Sequence, residues 1–198
     1  MRGCRRPSII SDERRSGERR RRGGPQIGRL AVGMARKRSP TLRFLVRHPA
    51  HFIALGFGAG LAPVMPGTFG TLVAFPIAWW LQAHAGVAGW SLAIAGLAVV
   101  GAWSAQVTGK DLGRSDDGSI VIDEIAAFLL VLFFAGDDVM RQVAAFALFR
   151  FFDIVKPPPI RQLDAAIKNG FGVMLDDFVA AGYALIVLAI VARIAGAA

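Results

Sequence analysis

Residues 119–134 read SIVIDEIAAFLLVLFF. A buried strand runs about 4–8 residues and a helix at least about 10–12, so an apolar run this long reads as a buried helix. Near its start sit two adjacent acids, Asp123 and Glu124. The same oddity recurs twice further along. Residues 143–160 (VAAFALFRFFDIVKPPPI) carry Asp153, and residues 172–192 (GVMLDDFVAAGYALIVLAIVA) carry Asp176 and Asp177. A charge at the centre of a membrane helix costs about 2.5–3.5 kcal/mol on insertion scales, and ionisable residues at such depth are usually functional. Acidic clusters in three separate segments point to one site for a polyvalent cation, and hence to phosphate or water chemistry.

Composition agrees with an apolar setting. The chain is 54% hydrophobic over 198 residues, and its mean hydropathy is +0.49. That is above the usual soluble range, so membrane association is expected. Charge is divided unevenly. Residues 1–47 carry 15 Lys/Arg against 3 Asp/Glu, whereas residues 48–198 carry 8 against 11, so the net +9 is a +12 leader on a −3 body. The leader contains RRSGERRRRGGP (14–25) and few apolar residues, which predicts disorder over residues 1–40. Met34 opens a more usual-looking start, so residues 1–33 read as an upstream start-site artefact. Residues 41–198 read as one helical domain. No apolar run follows the first charges, which argues against a secretory signal. Cys4 is the only cysteine, so neither a disulfide within one chain nor a cysteine-based metal site can be built.

From Phe52 to Gly109 there is no Asp, Glu, Lys or Arg. Residues 56–71, GFGAGLAPVMPGTFGT, break this block with Gly and Pro and cannot be regular helix throughout. Helices are expected over 71–84, with Pro76 in an early turn, and over 87–108, the best spanning candidate. Residues 110–119 (KDLGRSDDGS) read as a polar loop. Further helices are expected over 120–134, 139–155 and 176–194, with a short amphipathic one over 160–168. Asn169 to Gly172 reads as a turn. No β alternation is visible, so the fold class is all-α, a bundle of about six helices embedded in or associated with a membrane.

Arg150, Asp153 and Lys156 recur at i, i+3 and i+6 and share a broad helix face. Arg binds phosphate oxygens bidentately, Lys supplies a compact charge, and carboxylates with water suit Mg²⁺. Each cluster alone has a plainer reading. Asp176 and Asp177 would cap a helix they open, Arg150–Asp153 would be a plain helix salt bridge, and Asp123–Glu124 an exposed first turn. The glycine-rich stretch offers backbone amides that can approach a phosphate, but it lacks the Gly-Lys-Ser/Thr of a Walker loop. Ser119 is a possible helix cap. His48, His51 and His84 lack metal-ligand spacing and read as structural or interfacial. Trp79, Trp80, Trp90 and Trp103 fit an interfacial belt.

Taken in order, GFGAGLAPVMPGTFGT (56–71), DDGSIVIDE (116–124), FRFFDIVKPPPI (149–160) and GFGVMLDDFVAAGYA (170–184) resemble the bacterial phosphatidylglycerophosphatase A family. The resemblance covers about residues 48–195. It implies a central helix surrounded by others and a Mg²⁺-dependent hydrolase of the bacterial inner membrane. The substrate it implies is phosphatidylglycerophosphate, converted to phosphatidylglycerol, with the site facing the cytoplasm. It implies metal ligands among Asp123, Glu124, Asp153, Asp176 and Asp177, and catalytic roles for Asp123, Asp153, Asp177, Arg150 and Lys156. Pro66, Gly67, Thr68 and Gly70 join Arg150 and Lys156 at the phosphate. No nucleic-acid partner is expected, and oligomeric state stays open. Rival functions from other classes are an ion or proton transporter built on intramembrane acids, and a non-catalytic module that binds lipid headgroups. Inverted repeats, which would favour the transporter, are not visible.

Overall fold

The computed structural model describes residues 40–114, 117–162, 167 and 169–196. The expectations for the basic leader before residue 40, for Asp116 and for most of the 160–168 segment lie outside the described residues. Among these there is no strand. The helices are α1 (Leu42–Leu45), α2 (Pro49–Ala54), a 3₁₀ stretch (Gly56–Leu61), α3 (Pro66–His84), α4 (Val87–Leu112), α5 (Ile122–Ala135), α6 (Val139–Val155) and α7 (Gly170–Ile194).

The run that opened the sequence reading becomes the hub. α5 packs against α3, α4, α6 and α7, and Ile122, Ile125, Phe128, Leu129 and Val131 are fully buried. Phe128 makes the central aromatic cluster, with ring centroids 5.3 Å from Phe75, 5.9 Å from Phe146 and 5.4 Å from Phe149. These spacings lie in the range aromatic pairs prefer. The outer helices have the opposite character. α4 exposes Leu92, Val99 and Trp103, and α7 exposes Ile186, Ile190 and Ile194. Both are long and apolar enough to cross a membrane. With 14 residues, α5 is short of the ~20 a span needs.

Local chemistry explains the helix ends. Asp138 caps α6 by accepting from the Arg141 amide at 2.6 Å. Lys156 closes the helix in the left-handed region at φ 44°, just before Pro157. Gly113 ends α4 in the same region at φ 73°.

Several boundaries correct the sequence expectation. α3 begins at Pro66, not Thr71, because a proline at the first helical position loses an amide that had no partner anyway. α4 runs on to Leu112, so residues 110–112 are helical and not loop. α7 begins at Gly170, with Asn169 accepting from the Gly172 amide at 2.9 Å, so the predicted turn is the first turn of the helix. Asp176 and Asp177 therefore do not open a helix and cannot be its caps. Ser119 is not a cap either, since its hydroxyl is given to Asp117 at 2.5 Å. Trp90 is core, 5.5 Å from Phe133, while Trp79, Trp80 and Trp103 are exposed.

Candidate functional site: a buried carboxylate cluster

The first turn of α5 delivers Asp123 and Glu124, and α7 delivers Asp177 from two turns inside its length. One oxygen from each of these three residues lies within 4.8 Å of the others. Their packing follows from small residues nearby. A side chain on Gly170 would run into the Ala102 carbonyl, so only glycine lets α7 cross α4 this closely. Gln106 of α4 fixes the crossing by accepting from the Gly170 amide at 2.8 Å.

Asp123 Oδ1, Glu124 Oε2 and Asp177 Oδ2 are buried and find no hydrogen-bond partner among the described residues. Buried polar atoms are nearly always partnered, so an orphaned acceptor on each of three converging carboxylates is a directed feature. Burial, then the repulsion of Asp153, pushes Glu124 up to about 8 against the pull of Arg150. Burial, followed by the Glu124 and Asp176 charges, raises Asp123 well above the ordinary carboxylate range. A hard divalent cation would relieve this repulsion, because it takes oxygen donors and keeps its remaining positions for water. The donor set fits Mg²⁺: oxygen only, anionic and convergent.

Around this cluster stand the basic residues. Arg150 of α6 meets Asp153 at 2.7 Å and Glu124 at 3.3 Å through Nη1. The same nitrogen donates to Thr71 Oγ1 at 3.5 Å, while Thr71 donates to the Gly67 carbonyl at 2.9 Å. Lys156 pairs with Asp176 at 2.6 Å, from the left-handed cap that ends α6. Of the five acids singled out by sequence, Asp123, Glu124 and Asp177 converge, whereas Asp153 and Asp176 hold the bases beside them.

The start of α3 completes the surroundings. Pro66 occupies its first position and Gly67 is buried. A side chain at Gly67 would overlap Glu124 Oε1 and lie 3.1 Å from Arg150 Nη1, so the backbone passes directly against the charged groups. Thr68 Oγ1 is buried with no hydrogen-bond partner among the described residues. Gly70 is pressed against Val121, locking α3 to the entry of α5.

Sequence reasoning missed two supports. Thr71, readable as a helix cap or a hydroxyl donor, instead joins Arg150 to α3, a link that only packing reveals. Asp117 staples the loop before α5: its carboxylate takes the Ser119 amide at 3.1 Å and meets Arg114 at 2.5 Å. The Asp-Gly-Ser triplet at 117–119 carries that signal, since Asp commonly accepts from the amide two residues on.

Such a site suits removal of a phosphate group, and so apolar an exterior belongs at a membrane: the class is a helical, membrane-associated phosphatase. The chain belongs to the phosphatidylglycerophosphatase A family, whose pattern matches residues 52–192. It is 41% identical to phosphatidylglycerophosphatase A of Haemophilus influenzae over 76% of this chain and 93% of that protein. The identity is 38% with phosphatidylglycerophosphatase A of Escherichia coli, over 70% of this chain and 80% of that one. A Bacteroides thetaiotaomicron protein named for phosphatidylinositol-3-phosphatase activity is 35% identical, over 73% and 94%. No solved structure matches.

Proposed function

We propose that this chain removes the terminal phosphate of phosphatidylglycerophosphate, giving phosphatidylglycerol and inorganic phosphate. The reaction is Mg²⁺-dependent and takes place at the bacterial inner membrane, with the site facing the cytoplasm. The observation that carries the reading is the set of orphaned carboxylate oxygens on Asp123, Glu124 and Asp177, placed beside Arg150. Relatives at 41% and 38% identity that carry the phosphatidylglycerophosphatase A name support the substrate.

Asp123, Glu124 and Asp177 would hold the cation; bound there, Mg²⁺ supplies charge neutralisation and a more acidic water. Arg150 is fixed by Asp153 and Glu124, so its guanidinium is already oriented when a phosphoryl oxygen arrives. Lys156 adds a second positive charge, steadied by Asp176. Thr68 offers a hydroxyl at the positive end of the α3 dipole. Burial of the cluster keeps bulk water from screening these charges.

The test is phosphate release from phosphatidylglycerophosphate in mixed micelles, with Mg²⁺ or with chelator, beside phosphatidylinositol 3-phosphate. Release from the first lipid, abolished by chelator and restored by Mg²⁺, is expected. Release indifferent to chelator overturns the cation assignment, and preference for the phosphoinositide overturns the substrate.

A further inference from the structure

α3 and α6 both lie on α5 and run antiparallel. Thr71 and Arg150 meet at one end, 3.5 Å apart, and Trp79 Nε1 donates to Gln142 Oε1 at the other, 3.3 Å apart. A groove of about 360 Å³ lies around the second of these contacts and reaches back to Leu72. Leu72, Phe75, Pro76 and Trp79 of α3 line it on one side, and Val139, Gln142 and Val143 of α6 on the other. Phe75 on its wall packs on the aromatic cluster, 6.0 Å from Phe146 and 5.3 Å from Phe128.

The groove comes nearest the carboxylate site at Leu72, which follows Thr71, the hydroxyl that Arg150 Nη1 meets. Thr68, Leu72, Phe75 and Trp79 follow one another at helical spacing along α3, and Arg150, Phe146 and Val143 do so along α6. The stripe begins with a hydroxyl and a guanidinium and continues without a charged side chain. From Leu72 to Trp79 the helix rise spans roughly 10 Å. A ligand with an anionic head at Thr71 and Arg150 and an apolar tail along Leu72, Phe75 and Val143 matches this order of polarity.

We infer that the groove between α3 and α6 seats an acyl chain of the lipid whose phosphate is hydrolysed. This rests on the proposed lipid phosphatase activity and deepens it. Lipid tails are as apolar as leucine, so the chain gains little by leaving the bilayer. What the groove supplies is register: a tail lying along Leu72 and Val143 sets where the headgroup stops relative to Arg150. Val143 and Leu72 are 55% and 44% exposed, so larger side chains fill the groove without disturbing the core.

The experiment compares kcat/KM for long-chain phosphatidylglycerophosphate and for its deacylated headgroup, in wild type, Val143→Trp, Leu72→Trp and, as a control on the outer face of α4, Leu92→Trp. The long-chain to deacylated ratio is expected to fall about tenfold in the two groove variants and to stay at the wild-type value in Leu92→Trp. Unchanged ratios in both groove variants, with the wild type active, overturn the groove assignment. So does a change of oligomeric state in Val143→Trp with an unchanged ratio, which would give the groove to a second copy of the chain. A wild type that releases phosphate from neither substrate fails the activity itself, a distinct result.

Discussion

The first turn of α5 and the third turn of α7 each carry adjacent carboxylates, and helix neighbours point about 100° apart. In both regions one member, Asp123 or Asp177, turns into the shared cluster. The second members differ. Glu124 lies in the cluster and also on Arg150 at 3.3 Å, whereas Asp176 meets Lys156 at 2.6 Å. A doublet of acids at the interior of a bundle thus serves two neighbours at once. Whether the second acid joins the cluster depends on where the nearest base is anchored. Arg150 reaches in from the body of α6, while Lys156 leaves along the left-handed turn that ends it.

The comparison can be broken most severely at the shared members. Asp123→Asn and Asp177→Asn should each lower kcat by about 100- to 1,000-fold, measured as Mg²⁺-dependent phosphate release by protein verified to be folded. A residual rate near wild type in either would mean the two regions do not serve one ion. Next is Gly67→Ala, whose new methyl group displaces Glu124 and Arg150 together; a displacement of this size should cost about 10- to 100-fold in kcat. The second members should then separate. Glu124→Gln is expected to lower Mg²⁺ affinity and activity together by about 10- to 100-fold, and Asp176→Asn to lose about tenfold with Mg²⁺ affinity less affected. Equal changes in Mg²⁺ affinity would erase the distinction.

Protonation gives a further test. Glu124 holds its proton up to about 8 in the folded, cation-free protein, against 4.5 ordinarily. Between those values the folded state binds more protons than the unfolded chain, so stability falls as pH rises. Melting temperature in chelator should therefore drop from about pH 5 to about pH 8, and Mg²⁺, which favours the ionised carboxylates, should shrink the drop. A flat profile in chelator would contradict the burial of this group. The smallest effects belong to the anchors of the two regions. Ser119→Ala before α5 and Gln106→Leu beneath α7 should each cost about 1 kcal/mol of stability by removing one hydrogen bond, read as a shift in unfolding midpoint.

Much of this arrangement was legible in the chain. The bounds of α6 at Val139 and Val155 are readable because Asp138 and Pro157 punctuate them. The acids were conspicuous because apolar neighbours make them costly. The helix starts at Pro66 and Gly170 were not legible. Glycine and proline read locally as breakers, but Gly67 and Gly170 are there so that another group can come close. The division of labour among the acids was hidden for a related reason. Spacing on one helix places Arg150 with Asp153, but only packing brings Glu124 to Arg150 and Asp176 to Lys156.

Asp177 comes from the last helix of the described chain, while Asp123 and Glu124 come from the hub around which everything else packs. During synthesis the earlier helices emerge first, and domains assemble as the chain lengthens. A nascent chain that has made α5 but not α7 owns two of the three convergent acids and lacks the third. Competence would therefore arrive in a single late event, when the final helix docks. Chains stalled or clipped before residue 177 would populate the membrane as inert assemblies, not as weak enzymes.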